Sequence, residues 1–189
     1  YTLANMVALV AAGELADRRG PAVPFVASMA IFITGLFVGA WAPTMAWLVA
    51  GRTMQGLGSG TVGPLAYVVI ARSFPATRQP AMFALMSTGW FLPSLFAPAV
   101  SGWIVSSFGW RWVFLGIVPA ALAVTAAAFG PMHRLPAVGA APDERSRIPA
   151  AIALASGVGM LAVGAQSDHL ALTVVLVAAG VAVALRGRR

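Results

Sequence analysis

The feature that most constrains this chain is a succession of apolar runs, each near the length of a membrane crossing, with almost all charge confined to the joints. A helix needs about 20 apolar residues to cross the hydrocarbon of a bilayer. Seven runs can be drawn: Tyr1–Ala16, Ala22–Ala40, Thr44–Ala71, Pro80–Ser106, Trp112–Pro131, Pro149–Ala165 and Leu170–Leu185. A bilayer offers no water to unpaired backbone groups, so crossings must satisfy their hydrogen bonds internally. The runs therefore predict an all-α polytopic membrane protein. Only 9% of residues are charged and 60% are hydrophobic, whereas a soluble domain carries about 25% charged residues.

Proline and glycine mark most of the joints, as at Gly20-Pro21, Ala42-Pro43, Phe74-Pro75 and Gln79-Pro80. Proline fits the first turn of a helix, where its missing N–H costs nothing. Pro64, Pro93 and Pro98 fall inside runs and are expected to kink them.

The joints alternate in charge. Arg18, Arg19, Arg72, Arg78, Arg134, Arg145, Arg147, Arg186, Arg188 and Arg189 fall on one side, and Arg111 alone on the other. The positive-inside rule makes the arginine-rich side cytoplasmic, which puts the carboxy terminus inside and the amino terminus outside. Trp41, Trp47, Trp103, Trp110 and Trp112 cluster toward the opposite side, as an interfacial aromatic belt would. The first run is short: 16 residues rise about 24 Å, against about 30 Å of hydrocarbon. An upstream span is therefore expected.

The net charge is +7, but the arginines form no basic stripe of the kind that phosphate tracking needs, which excludes nucleic acid as a partner. The chain has no cysteine, so thiolate chemistry is excluded. His133 and His169 fall on opposite sides and cannot share a metal. No metal, cofactor or catalytic set is expected. Gly58, Gly60 and Gly63 spell a dinucleotide-binding pattern, but inside an apolar helical run, without the preceding strand that pattern requires.

Against this background three stretches stand out. Arg52 is the only charge between Ala42 and Ile70. An intramembrane arginine is costly, at about 2.5 kcal/mol or more, and points to function. Gln55 lies one turn away, so a polar cluster facing the bundle interior is expected. Gly56 and Gly60, Ala97 and Ser101, and Pro98 and Gly102 each repeat small residues four apart, which marks closely packed, buried helix faces. At the end of the first run, Gly13 would permit close approach, and Asp17 opposes the helix dipole and needs a cationic partner.

The stretch GELADRRG, residues 13–20, resembles the signature loop of the major facilitator superfamily, with Gly13, Leu15, Ala16, Asp17, Arg18 and Gly20 matching and Pro21 and Ala22 replacing its trailing basic pair. RTMQGLGSG resembles the helix-four motif of that family through Arg52, Gln55, Gly56 and Gly58. APAVSG, residues 97–102, resembles its helix-five antiporter motif: Pro98 and Gly102 match, while Ala97 and Ser101 are small replacements. FGWRWVF and the two last runs resemble the fourteen-helix drug:proton antiporter branch.

The resemblance covers the chain as helices two to eight. It implies five helices of an amino-terminal six-helix bundle over residues 1–131, a cytoplasmic loop over 132–148 and an additional hairpin over 149–189. It also implies proton-coupled export of drug-like amphipathic or cationic molecules across a bacterial inner membrane. In that setting Gly13, Asp17, Arg18, Arg19 and Gly20 form a conformational latch, and Arg52 and Gln55 tune proton movement. The proton-carrying carboxylate is expected in helix one. Met54, Met86, Trp90 and Phe91 are cavity candidates, since flexible methionines and flat aromatics suit a promiscuous apolar pocket. The expected partners are a small-molecule substrate, protons and the lipid bilayer.

Overall fold

The computed structural model describes residues 1–137 together with residues 152, 155 and 156. Among these residues the structure is helical throughout, with seven helices through His133. They are α1 (Thr2–Arg19), α2 (Ala22–Ala40), α3 (Met45–Ser59), α4 (Val62–Ser73), α5 (Gln79–Phe108), α6 (Arg111–Leu115) and α7 (Ile117–His133). The expected hairpin over 149–189 and nearly all of the expected loop over 132–148 lie outside the described residues.

Glycine ends two of these helices at positions that need a positive φ: Gly20 at 78° after α1 and Gly109 at 90° after α5. A side chain disfavours that conformation, so both chain reversals depend on glycine.

Two expected crossings are each divided in two. The run Thr44–Ala71 breaks at Gly60-Thr61, and Trp112–Pro131 breaks at Gly116. Each break lies three or four residues before a proline, Pro64 and Pro119 respectively. A proline cannot donate to the carbonyl four residues back; the ladder resumes one residue later, with Leu65 N–H donating to Thr61 O at 3.1 Å. Pro93 and Pro98 interrupt no helix: α5 runs on for 30 residues through both. The difference lies in the surroundings. Gly60 is pressed against Asn5 and Ala8 of α1. Thr61 Oγ1 donates to Ser28 Oγ of α2 at 2.6 Å and lies 3.0 Å from Gly58 O. The break before Pro64 is thus held from two sides, and α5 has no comparable anchor.

Among the described residues three helices are long and apolar enough to cross a membrane on their own: Ala22–Ala40, Gln79–Phe108 and the α6–α7 pair Arg111–His133. Helix α1 extends past the first run and carries Glu14, Asp17, Arg18 and Arg19, and α3 and α4 are each too short alone.

Helices α2 and α3 pack antiparallel over their full length. A Cβ on Gly35 would lie 2.8 Å from both Gln55 N and Gly51 O, and one on Gly51 would lie 2.8 Å from Gly39 N. At the other end of the crossing, a Cβ on Gly58 would meet Phe32 Cβ at 2.5 Å and Ser28 O at 2.6 Å. Helix α1 runs parallel to α3 and α4, with Tyr1 against Gly56 and Asn5 against Gly60. The core gathers Ala12, Ala16, Phe25, Met29, Leu65 and Met132 from α1, α2, α4 and α7. The alternating charge code acquires a spatial counterpart. Asp17, Arg72 and Pro136 meet at one end, and Arg111 Nε donates to Ala40 O at 3.1 Å at the other, beside exposed Trp41 and Trp110.

Candidate functional site

The intramembrane arginine sits one residue round the helix from the packed face of α3. Gly51, Gln55, Gly56 and Gly58 are buried, whereas Arg52 is exposed among the described residues. At 100° per residue, the face that lets α2 approach through Gly51 and Gln55 turns Arg52 to its flank. Gln55 makes the connection. Its Nε2 donates to Gly35 O of α2 at 3.0 Å, and its Oε1 accepts from Arg52 Nη1 at 3.1 Å. Gly39, four residues along α2, completes the slot: a Cβ there would come within 3.3 Å of Gln55 Nε2.

The guanidinium lies 5.3 Å from the centre of the Tyr1 ring, within range of a cation–π interaction. Tyr1 and Asn5 of α1 in turn converge on Ser59 at the end of α3. The Tyr1 hydroxyl shares a hydrogen bond with Ser59 Oγ at 2.8 Å, and Asn5 Nδ2 donates to it at 3.1 Å. Polar side chains thus follow the joint of α1, α2 and α3, and no buried side-chain nitrogen or oxygen among the described residues is left unsatisfied.

Sequence reasoning missed Gly35, Gly39 and Gly51, which form the slot. The signal was present: Gly35 and Gly39 are four apart on α2, the same small-residue spacing recognised at Gly56 and Gly60.

At the arginine-rich end, Asp17 finds its cation. Arg72 Nη2, at the end of α4, lies 2.9 Å from Asp17 Oδ1. Arg72 Nη1 also donates to Pro136 O at 3.3 Å, so one arginine joins the α1–α2 turn, the end of α4 and the chain following α7. Arg18 pairs instead with Glu14 one turn earlier, at 2.9 Å. Arg19 is exposed, and Gly20 is buried beneath the backbone of residues 135–137. Among the described residues a Cβ on Gly13 would meet nothing within 4 Å, and α1 packs through Ala8, Ala12 and Ala16.

Of the four cavity candidates, three come together. Met86, Trp90 and Phe91 of α5, with Ser87, face Gly63 and Tyr67 of α4 across an open cavity of about 450 Å³. The Tyr67 ring lies tilted against Phe83 of α5, with ring centres 5.2 Å apart. Met54 is not among them; it is half-buried with its Cβ against Gly35.

The expected close-packed face of Ala97, Pro98, Ser101 and Gly102 has no partner among the described residues. α5 has no buried residue, and a Cβ on Gly102 would meet nothing within 4 Å. Small residues allow close approach but cannot supply a partner, and among the described residues none covers this face. The glycine pattern at 58, 60 and 63 spans the α3–α4 break, without a strand before it.

Comparison with known proteins is consistent with this architecture. Residues 1–156 match the family model described as Major Facilitator Superfamily. The chain is 32% identical over 122 residues to the multidrug resistance protein B homolog of Mycobacterium tuberculosis, an alignment covering 65% of this chain and 23% of that protein. It is likewise 32% identical over 114 residues to the multidrug transporter protein MdtP of Bacillus subtilis, covering 60% of this chain and 21% of that protein. The matched segment is thus under a quarter of the length of either relative.

Proposed function

The chain belongs to the major facilitator superfamily, and from that premise we propose that it is part of a proton-coupled antiporter. The substrates would be drug-like amphipathic or cationic small molecules, exported across a bacterial cell membrane by alternating access. The observation that carries the substrate class is the apolar, aromatic cavity of Tyr67, Met86, Trp90 and Phe91. It occurs in a chain whose relatives bear the names multidrug resistance and multidrug transporter. Flexible Met and flat ring faces accept varied apolar shapes, and ring faces also attract cations.

In this reading the Asp17–Arg72 pair is a latch. It ties three segments at the arginine-rich end, an end that the positive-inside rule would assign to the cytoplasm. A charge pair made in only one of two conformations biases the equilibrium between them. Arg52, held by Gln55 against α2, supplies a fixed positive charge beside the path. Such a charge favours the ionised form of a nearby carboxylate and so helps it release a proton. The carboxylate itself is assigned to helix one. The driving force is the proton electrochemical gradient, about 2.3 kcal/mol per charge per 100 mV.

The test is ethidium accumulation in an efflux-deficient bacterium expressing the complete gene product, with and without a protonophore. An Arg52→Ala version matched for expression runs in parallel. Protonophore-sensitive efflux that disappears in Arg52→Ala is the expected result. Efflux that persists in Arg52→Ala reduces the arginine to a structural role. Absence of efflux for a panel of cationic dyes would overturn the drug-export reading in favour of a metabolite or sugar carrier, or of a module that does not transport.

A further inference from the structure

A second cavity, of about 510 Å³, lies between α2 and the end of α7 at the arginine-rich end of the bundle. The transport reading leaves it unused. Its walls are apolar: Val23, Val26 and Ala27 from α2, and Phe129 from α7. Its mouth carries Arg19 and His133, the imidazole set edge-on to Phe129 with ring centres 5.4 Å apart. Arg18 and Arg72 beside it are engaged in ion pairs. Among the described residues Arg19 and His133 have neither an ion pair nor a hydrogen bond. Val23 and Val26 are exposed, at 49% and 37%, on a helix of mean hydropathy 2.1. The groove is therefore apolar along a membrane-spanning helix and cationic where that helix ends.

We propose that this groove binds one anionic phospholipid of the adjoining leaflet. An acyl chain would lie along Val23, Val26, Ala27 and Phe129, with the phosphate between Arg19 and His133. The volume lies within the range of small-molecule pockets, about 300–1,000 Å³. Basic pockets between transmembrane helices at the cytoplasmic surface suit anionic headgroups, because charge attraction adds to burial of the tail. Gly20 shapes the mouth: lacking a Cβ, it lets Leu135 O pass 3.2 Å from where that atom would stand. A lipid held here would tie the α1–α2 turn to the end of α7, independently of Arg72. The inference rests on the membrane-spanning fold and not on the transport reading.

Native mass spectrometry of the full chain in mild detergent tests it, with phosphatidylglycerol or phosphatidylethanolamine of identical acyl chains as probes. Preferential retention of one phosphatidylglycerol is expected. Arg19→Gln should weaken it about fivefold, the effect of one cation near an anionic headgroup, and His133→Phe, which removes a hydrogen-bond donor to the phosphate, should weaken it less. Ala27→Phe, which fills the groove and spares both Arg19 and His133, should lower retention as well; Val26→Phe asks the same question should Ala27→Phe not fold. Arg78→Gln, on the same side but outside the groove, should change nothing. Equal retention of the two lipids would overturn the proposal, as would undiminished retention in folded Ala27→Phe. Displacement by soluble glycerol phosphate at equal concentration would overturn it too, by making this a free phosphate-ester site. Lipid selectivity without dye efflux would leave this inference standing and overturn only the drug-export reading.

Discussion

Two stretches of this chain use the same small residues and end in opposite states. Along α2 and α3, Gly35, Gly51 and Gly58 each face a neighbouring helix so closely that a Cβ would meet it at 2.9 Å or less. Along α5, Gly89 and Gly102 face open space. In lipid there is no hydrophobic drive to bring helices together; association rests on van der Waals contact, hydrogen bonds and lipid entropy. A glycine therefore contributes only where a second backbone can reach it. The α2–α3 joint also carries polar connections, Gln55 to Gly35 O and Thr61 to Ser28, whereas Ser87, Thr88, Ser94, Ser101 and Ser106 of α5 each turn back on their own helix. Packed and unpacked regions are thus told apart by partners rather than by composition.

Three substitutions would break or sharpen this contrast. The largest effect is expected from Gly51→Val. Its added atoms would meet Gly39 N, Gly35 O and Gly39 Cα at 2.8–3.1 Å, all backbone that cannot swing aside. Separating the helices should cost about 3 kcal/mol, read as a collapse of the thermal midpoint followed by tryptophan fluorescence. A midpoint close to that of the unaltered chain would mean that α2 and α3 do not cross this closely. A middle effect is expected from Gln55→Leu, which removes the link to Gly35 O and releases Arg52. It should cost about 1 kcal/mol; if it leaves stability untouched, the slot is held by glycine contact alone. The smallest effect belongs to Gly102→Ala on α5. With no neighbour to displace, it should shift stability by less than about 1 kcal/mol, and toward greater stability through helix propensity. A clear destabilisation would show that this face is packed after all and would erase the contrast.

Much of the outline was legible in the sequence. Hydropathy marked α2, α5 and the α6–α7 pair, since a crossing of a bilayer needs length and apolarity that few other structures require. Asp17 announced its need for a cation, because a carboxylate at a helix carboxy terminus is unfavourable alone. Nothing in residues 13–20 could say that Arg72, 55 positions along the chain, would answer rather than neighbouring Arg18 or Arg19. Likewise the three interior prolines look alike as letters. Pro64 breaks its helix where α1 and α2 grip Gly60 and Thr61, and Pro93 and Pro98 do not.

By itself, the sequence determined that the chain is helical and lies in a membrane, and it marked α2, α5 and the α6–α7 pair as long and apolar enough to cross it. Those properties follow from the solvent: water and lipid act on each segment according to its own residues. Only the tertiary structure decided which glycines are packed, that Gln55 is the residue buried against α2, that Met86, Trp90 and Phe91 line a cavity without Met54, and that Arg72 holds Asp17. Those are properties of pairs of segments. They depend on distances of a few ångströms between backbones far apart in the chain, which no local pattern of residues specifies.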